Sequence, residues 1–129
     1  MEHKFQLLPG VVQVSLEYGR VPGDIVPVLS EAAKLAREQQ LQSLLVVSGV
    51  DDPATSEAVS EALEQIHALG VPPPFKIAFV AYMLQQYSVY HFAEEYAQRF
   101  GIAAKVLVSV RDAKAWLGTR ESSRAAARP

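Results

Sequence analysis

The stretch LLVVSGVDDPATSEAV, residues 44–59, contains the signals that decide the fold class. It opens with four apolar residues, the pattern of a strand that is covered on both faces of a sheet. The apolar run stops at Ser48 and Gly49, and a polar hinge with two aspartates, a proline and two hydroxyls follows. A helical pattern then begins. A buried strand that leads through a short hinge into a helix predicts an α/β fold.

The rest of the chain continues this alternation. Pro9 and Gly10 favour a tight turn inside FQLLPGVVQVSLEYG, which predicts an opening hairpin. Further strands are predicted in KIAFVAY (76–82) and KVLVSV (105–110), and a short closing helix in RDAKAWLG (111–118). The predicted order is β-β-α-β-α-β-α-β-α. Because right-handed crossovers return each strand beside another, this order predicts a mostly parallel sheet of four to five strands with about four helices.

Two helices carry predictions that the structure can check. Asp24 is a predicted N-cap for the first helix. The second helix is predicted from about Pro53 to Leu69, with Asp52 as its N-cap and Pro53 in the first helical position. The third helix is predicted to bury one apolar face, which consists of Val89, Phe92, Ala93, Tyr96 and Phe100. One domain is expected over residues 1–118, followed by a disordered tail at 119–129.

Composition narrows the classes of function. The chain has 129 residues, half of them hydrophobic, and a formal net charge of -2, so a concentrated basic face for nucleic acid is not expected. It has no cysteine, so thiolate metal sites and disulfides are excluded. No apolar run approaches the ~20 residues that span a bilayer, and we expect a cytoplasmic protein without a membrane span.

No motif names a reaction. His3, His67 and His91 are far apart in sequence and lack the spacing of a zinc site, so no metal is predicted. The adjacent acids Glu94 and Glu95 diverge by about 100° on a helix and are interpreted as a solvated face. No glycine-rich phosphate loop or Gly-x-Ser-x-Gly elbow occurs. We therefore expect no enzyme activity and no cofactor.

The order of elements, together with several local sequences, resembles the STAS domain family (sulphate transporter and anti-sigma-factor antagonist), in particular its SpoIIAA-like branch. The likeness is spread over LEYGRVPGDIVPVLSEAAKLA, LLVVSGVDD, KIAFVAY and VLVSVRDAKAWLG. It implies a non-catalytic regulatory domain that acts by contact with a protein partner or with itself. It also implies a phospho-acceptor at the start of the second helix, where Thr55 and Ser56 are the candidates by position.

The hinge has a simpler interpretation beside the phospho-switch. Free N–H groups and the positive end of the helix dipole would tolerate a phosphate on Thr55 or Ser56. However, Asp51, Asp52 and Glu57 would repel it, and no arginine lies in the local sequence to pair with it. Plain helix capping by the hinge is therefore the preferred hypothesis.

A second candidate surface lies in YMLQQYSVYHF, residues 82–92, where aromatic and apolar side chains gather at a strand-to-helix junction. Ligands of open α/β sheets bind beyond the carboxyl ends of strands, where the hinge should also lie. A shallow pocket would combine Ser48, Asp51 and Asp52 with Tyr87, Tyr90, Gln85 and Gln86. The alternative is that these aromatics pack in the core or in a dimer contact. A binding module for a small apolar or nucleotide-like ligand is thus the second functional hypothesis.

Overall fold

The computed structural model describes residues 3–16, 25–49, 55–71 and 74–118, with residues 3 and 4 described by their backbone alone. Nine elements alternate along these ranges. They are β1 (His3–Leu8), β2 (Val11–Leu16), α1 (Ile25–Glu38), β3 (Ser43–Ser48), α2 (Ser56–Ala68), β4 (Phe75–Val80), α3 (Leu84–Gln98), β5 (Ile102–Leu107) and α4 (Val110–Leu117).

The five strands form one sheet in the order β1-β2-β3-β4-β5. The β1–β2 pair is antiparallel, and the three other pairs are parallel. The α/β class, the opening hairpin and the mostly parallel sheet with four helices are therefore confirmed. The hairpin turns at Pro9 and Gly10, where Gly10 has a φ of +82°. A positive φ after a proline is the requirement of a type II turn, and glycine meets it without steric cost.

Every parallel strand lies beside the strand that precedes it in the chain. Right-handed crossovers repeated in one direction place their helices on the same face of a sheet. Accordingly α1, α2 and α3 pack together over one face, hereafter the helical face, and enclose the main core. The largest fully buried side chains of this core include Leu16, Ile25, Leu29, Leu44, Leu63, Ile66, Phe75, Ile77, Phe79 and Tyr90.

The last helix covers the opposite face of the sheet. Helix α4 contacts β3, β4 and β5, and a smaller core forms there around Leu45, Ala78 and Val80 with Ala113 and Leu117 of the helix. The Lys76 ammonium lies 5.4 Å from the centre of the Trp116 ring. Strand β3 is thus buried on both faces, as its unbroken apolar sequence predicts.

The predicted element boundaries need two corrections. Helix α2 begins at Ser56 with Thr55 as its N-cap, so the prediction of Asp52 as N-cap and of a start near Pro53 is wrong. Strand β5 runs from Ile102 to Leu107 rather than over 105–110. Ala103 and Ala104 are weak strand formers, which hid the start of β5. The Ser109 hydroxyl caps α4, which ends the strand early.

The buried face of α3 is rotated from the predicted one. Gln86, Tyr90, Ala93 and Ala97 are its buried residues, whereas Phe92 is 41% exposed. The two alanines let the helix approach the sheet closely, and the larger rings lie on the flank towards α2. On that flank Phe92 stacks on Tyr96, and His67 of α2 stacks on Phe100.

Some predictions fall outside the described ranges. Asp24, Pro53, the hinge acids Asp51 and Asp52, and the tail at 119–129 lie outside the described residues. Across the helices that the structure describes, none combines the length and the apolar composition needed to span a bilayer.

Candidate functional site

The carboxyl ends of β3, β4 and β5 meet at one edge of the sheet. Val47 is aligned with Val80, and Val80 with Leu107. The Ala81 amide donates to the Leu107 carbonyl at 2.9 Å, so the chain leaving β4 lies against the end of β5. The residues that follow these strands therefore form one continuous surface with the first turn of α3.

Two of the predicted site residues meet inside the protein. The Ser48 hydroxyl at the end of β3 donates to the Tyr90 hydroxyl of α3 at 3.1 Å. The Tyr90 ring is fully buried and stacks on Phe79 with 4.4 Å between the ring centres. Ser48 is 1% exposed. The structure thus brings Ser48 and Tyr90 together, but it places both in the interior rather than on a surface.

Gln86 connects the hinge to the start of α3. Its side-chain amide donates to the Gly49 carbonyl at 2.8 Å, and its side-chain oxygen accepts from the Met83 amide at 3.4 Å. A glutamine three residues into a helix can cap the N-cap amide, so the Met83 contact has a recognisable sequence signal. The longer-range bond to Gly49 has none. Gln86 is buried and fixes the position of the first helical turn, while Gln85 beside it is exposed.

A group of large apolar side chains is exposed at this edge of the sheet. Tyr87 on α3 was predicted to lie here and is 37% exposed. The remaining members surround it, and the whole group is hereafter the carboxyl-end patch: Tyr82 (51% exposed), Met83 (49%), Leu84 (81%), Tyr87 and Val108 (60%). Val108 was missed as a surface residue because the sequence pattern placed it within a buried strand.

The hinge ends in a side-chain cap. Thr55 has an extended backbone (φ -119°, ψ 159°), and its hydroxyl oxygen accepts from the Ala58 amide at 3.1 Å. Ser56 is the first helical residue, and both hydroxyl-bearing residues are exposed. Plain capping therefore operates at this hinge through Thr55. Phosphorylation of Thr55 or Ser56 stays a prediction, and a phosphate on Thr55 would replace the oxygen that caps α2.

Glu94 has a structural partner that its sequence context does not indicate. Its carboxylate accepts from the Val106 amide of β5 at 2.8 Å and lies 3.4 Å from His91 Nδ1. The interpretation of Glu94 as a solvated side chain is therefore wrong, although its neighbour Glu95 is exposed. Helix α3 uses Glu94 to satisfy a donor on the outer edge of β5, where a free N–H would invite pairing with another strand.

Neither the histidines nor the other polar groups converge on an ion site. In the described part of the chain, no group of three or more His, Asp or Glu side chains is placed to hold a metal ion. Tyr96 on α3 donates a hydrogen bond to the Glu64 carboxylate of α2, and this bond raises the pKa of the Tyr96 phenol above its ordinary value. This exposed pair links the two helices.

The strand order also bears on the ligand hypothesis. Ligand crevices in open α/β sheets form where the strand order reverses and neighbouring helices pass to opposite faces. The parallel strands here follow one another without a reversal. The crevice that motivated the prediction is therefore not created by the topology.

Comparison of the chain with protein-family models, with curated proteins and with solved structures finds no match. The resemblance to STAS domains therefore stays a prediction. Functional assignment depends on the geometry of the carboxyl-end patch and its surroundings.

Proposed function

We propose that this chain is a non-catalytic regulatory domain of STAS type that docks a protein partner through the carboxyl-end patch. The observation that carries the proposal is the exposure of Tyr82, Met83, Leu84 and Val108 on adjoining segments of one edge. Scattered exposed apolar residues are ordinary, but a contiguous apolar group on a soluble domain marks an interaction surface.

The residue types suit a protein interface. Tyrosine and methionine are enriched where proteins meet, and tyrosine often carries a large share of the binding energy. Leu84 is 81% exposed, so a partner that covered it would remove most of its side chain from water. Full burial of a side chain of this size stabilises a complex by about 1.5–3 kcal/mol. A few such side chains would supply the core of a specific contact.

The patch is built on a rigid support. Gln86 ties the first turn of α3 to Gly49, and one turn later Tyr90 holds the helix against Ser48. Because these contacts are buried, the exposed side chains between them are presented from a fixed backbone. A preorganised surface loses less conformational entropy on binding than a mobile one, which favours specific docking.

The fold gives independent support for a STAS-type role. The hairpin, the parallel sheet and the closing helix α4 occur in the order that the resemblance implies. Members of that family act through contact with proteins, and the carboxyl-end patch offers a surface for such contact here.

Site-specific photocrosslinking in the native cell tests the proposal. A photoreactive residue at position 84 should capture a protein partner, because Leu84 lies at the most exposed point of the patch. The same residue at position 92 is the matched control, since Phe92 is also an exposed apolar residue of α3 but lies two turns further along the helix. Equal capture at the two positions, or none at position 84, would count against the proposal.

The alternative, a small-ligand module at the same edge, has weaker support. Its proposed wall residues Ser48 and Tyr90 are buried against each other. Thermal shift of the wild type and of Tyr87→Ala against apolar and nucleotide-like compounds separates the two ideas. A compound that stabilises only the wild type would favour the ligand hypothesis.

A further inference from the structure

The two edges of the sheet are finished differently. At one edge, α3 packs along β5, and Glu94 accepts from the outward amide of Val106. At the other edge, β1 pairs with β2 and has no other extensive contact among the described elements. Gln6 and Leu7 on β1 are exposed, and Leu7 is 53% exposed. Only the β1 edge is open to strand addition by this comparison.

The direction of the β1 backbone groups follows from the sheet. The Gly49 amide donates to the Leu16 carbonyl, so Leu16 directs its backbone groups towards β3. Because these directions alternate along a strand, the next residue, Ser15, directs its groups towards β1. Ser15 is aligned with Lys4 in the β1–β2 register. Lys4, Gln6 and Leu8 therefore bond to β2, and the intervening residues Phe5 and Leu7 direct their N–H and C=O groups outwards.

We propose that a second copy of this chain pairs with the outer edge of β1, antiparallel and about a twofold axis. Two five-stranded sheets would then join into one sheet of ten strands. A second copy fits because an antiparallel edge meets itself with every donor opposite an acceptor, which is the requirement of a twofold interface. Edge pairing of this kind is a common mode of recognition by exposed strands.

The side chains set the register. A twofold axis perpendicular to the sheet keeps the helical faces of both copies on the same side, so residues of that face lie opposite each other. Leu7 and Phe5 belong to that face, because they are aligned with the core residues Val12 and Val14. In the register with Leu7 of one copy opposite Phe5 of the other, Leu7 gains apolar neighbours. Lys4 then lies opposite Leu8, so the two lysines do not meet.

The interface would be small. Six residues of β1 contribute from each copy. A contact of this size falls below the roughly 1,200 Å² of standard stable interfaces, so dissociation constants in the micromolar to millimolar range are expected. The dimer is independent of the carboxyl-end patch, since β1 pairs with neither β4 nor β5 and lies at the far side of the sheet.

Sedimentation equilibrium of the full chain tests this proposal over a concentration series up to about 300 μM, within the range expected for a small interface. The wild type should shift from monomer to dimer as the concentration rises. Leu7→Pro removes an outward N–H and leaves the β2 ladder intact, so it should weaken association at least about tenfold. Leu7→Thr retains the N–H and should associate. Circular dichroism checks that both variants keep the native fold.

Two outcomes would overturn the proposal. One is a wild type that stays monomeric throughout the series. The other is a natively folded Leu7→Pro variant that dimerises like the wild type. A Leu84→Asp variant should dimerise normally while losing the crosslinked partner, so the failure of one proposal can be told from the failure of the other.

Discussion

The hydroxyl of Ser48 donates to the hydroxyl of Tyr90 at 3.1 Å across the boundary between β3 and α3. Both side chains are buried, and the two residues are 42 positions apart in sequence. This bond joins the end of a central strand to the helix that carries the carboxyl-end patch. It therefore couples the stability of the core to the position of the proposed docking surface.

Tyr90→Phe should reduce the free energy of unfolding by about 0.5–1.5 kcal/mol, because it removes a buried hydrogen bond and keeps the ring stacked on Phe79. Urea denaturation measures the change. Tyr87→Phe is the control, since Tyr87 is partly exposed and its substitution should alter stability by less than about 0.5 kcal/mol. Equal effects of the two substitutions would contradict a structural role for the buried bond.

Thr55→Ala should destabilise the protein by about 1 kcal/mol, because Thr55 supplies the side-chain cap of α2. Thr55→Asp restores an accepting oxygen at the same place and should recover most of the loss. Ser56→Ala should have a smaller effect, since Ser56 lies inside the helix. Thermal unfolding of the three variants provides the comparison, and a larger loss for Ser56→Ala would refute the assignment of the cap.

Glu94→Ala should lower the free energy of unfolding by about 1.5–3 kcal/mol, the range for a hydrogen bond to a charged group. Glu95→Ala is the matched control on the exposed neighbour and should change stability by less than about 0.5 kcal/mol. The Glu94 substitution also uncovers the outer edge of β5. Light scattering should therefore detect new association in Glu94→Ala and none in Glu95→Ala, and the reverse order would exclude this role for Glu94.

The titration of Tyr96 gives a pH-dependent prediction. The hydrogen bond to Glu64 raises the pKa of Tyr96 above its ordinary value of 10.0. Because the folded-state pKa is the higher one, the stabilising contribution is complete below pH 10 and is lost as the pH rises through the folded pKa. Ultraviolet titration should show a late-ionising tyrosine that disappears in Tyr96→Phe. In Glu64→Gln that tyrosine should titrate earlier, and an unchanged titration curve would contradict the contact.

The hydrophobic pattern was sufficient to predict the class, the hairpin and the succession of strands and helices. Strand β3 was recognised from its unbroken apolar run, and Val12, Val14 and Leu16 from their alternation. The pattern failed where a residue type has two uses. Asp52 and Thr55 are both good helix caps, and local sequence does not determine which of them ends the hinge.

The candidate site was harder to predict for a physical reason. Tyr90 and Tyr87 are the same residue type on one helix, and only packing against Phe79 decides that Tyr90 is buried and Tyr87 is not. The partners of Gln86 and Glu94 are backbone groups distant in sequence, which carry no side-chain signature. Long-range contacts to the main chain therefore remain invisible until the strand order is known.

The strand order has a consequence for how the protein is made. Each strand from β2 to β5 pairs with the strand before it in the chain. During synthesis from the amino terminus, every strand that emerges from the ribosome finds its neighbour already exposed, and it need not wait for a later segment. Helix α4, which covers β3, β4 and β5 from the other face, emerges after all of them. The nascent chain can therefore assemble in the order of its translation, and the last helix closes a sheet that is already complete.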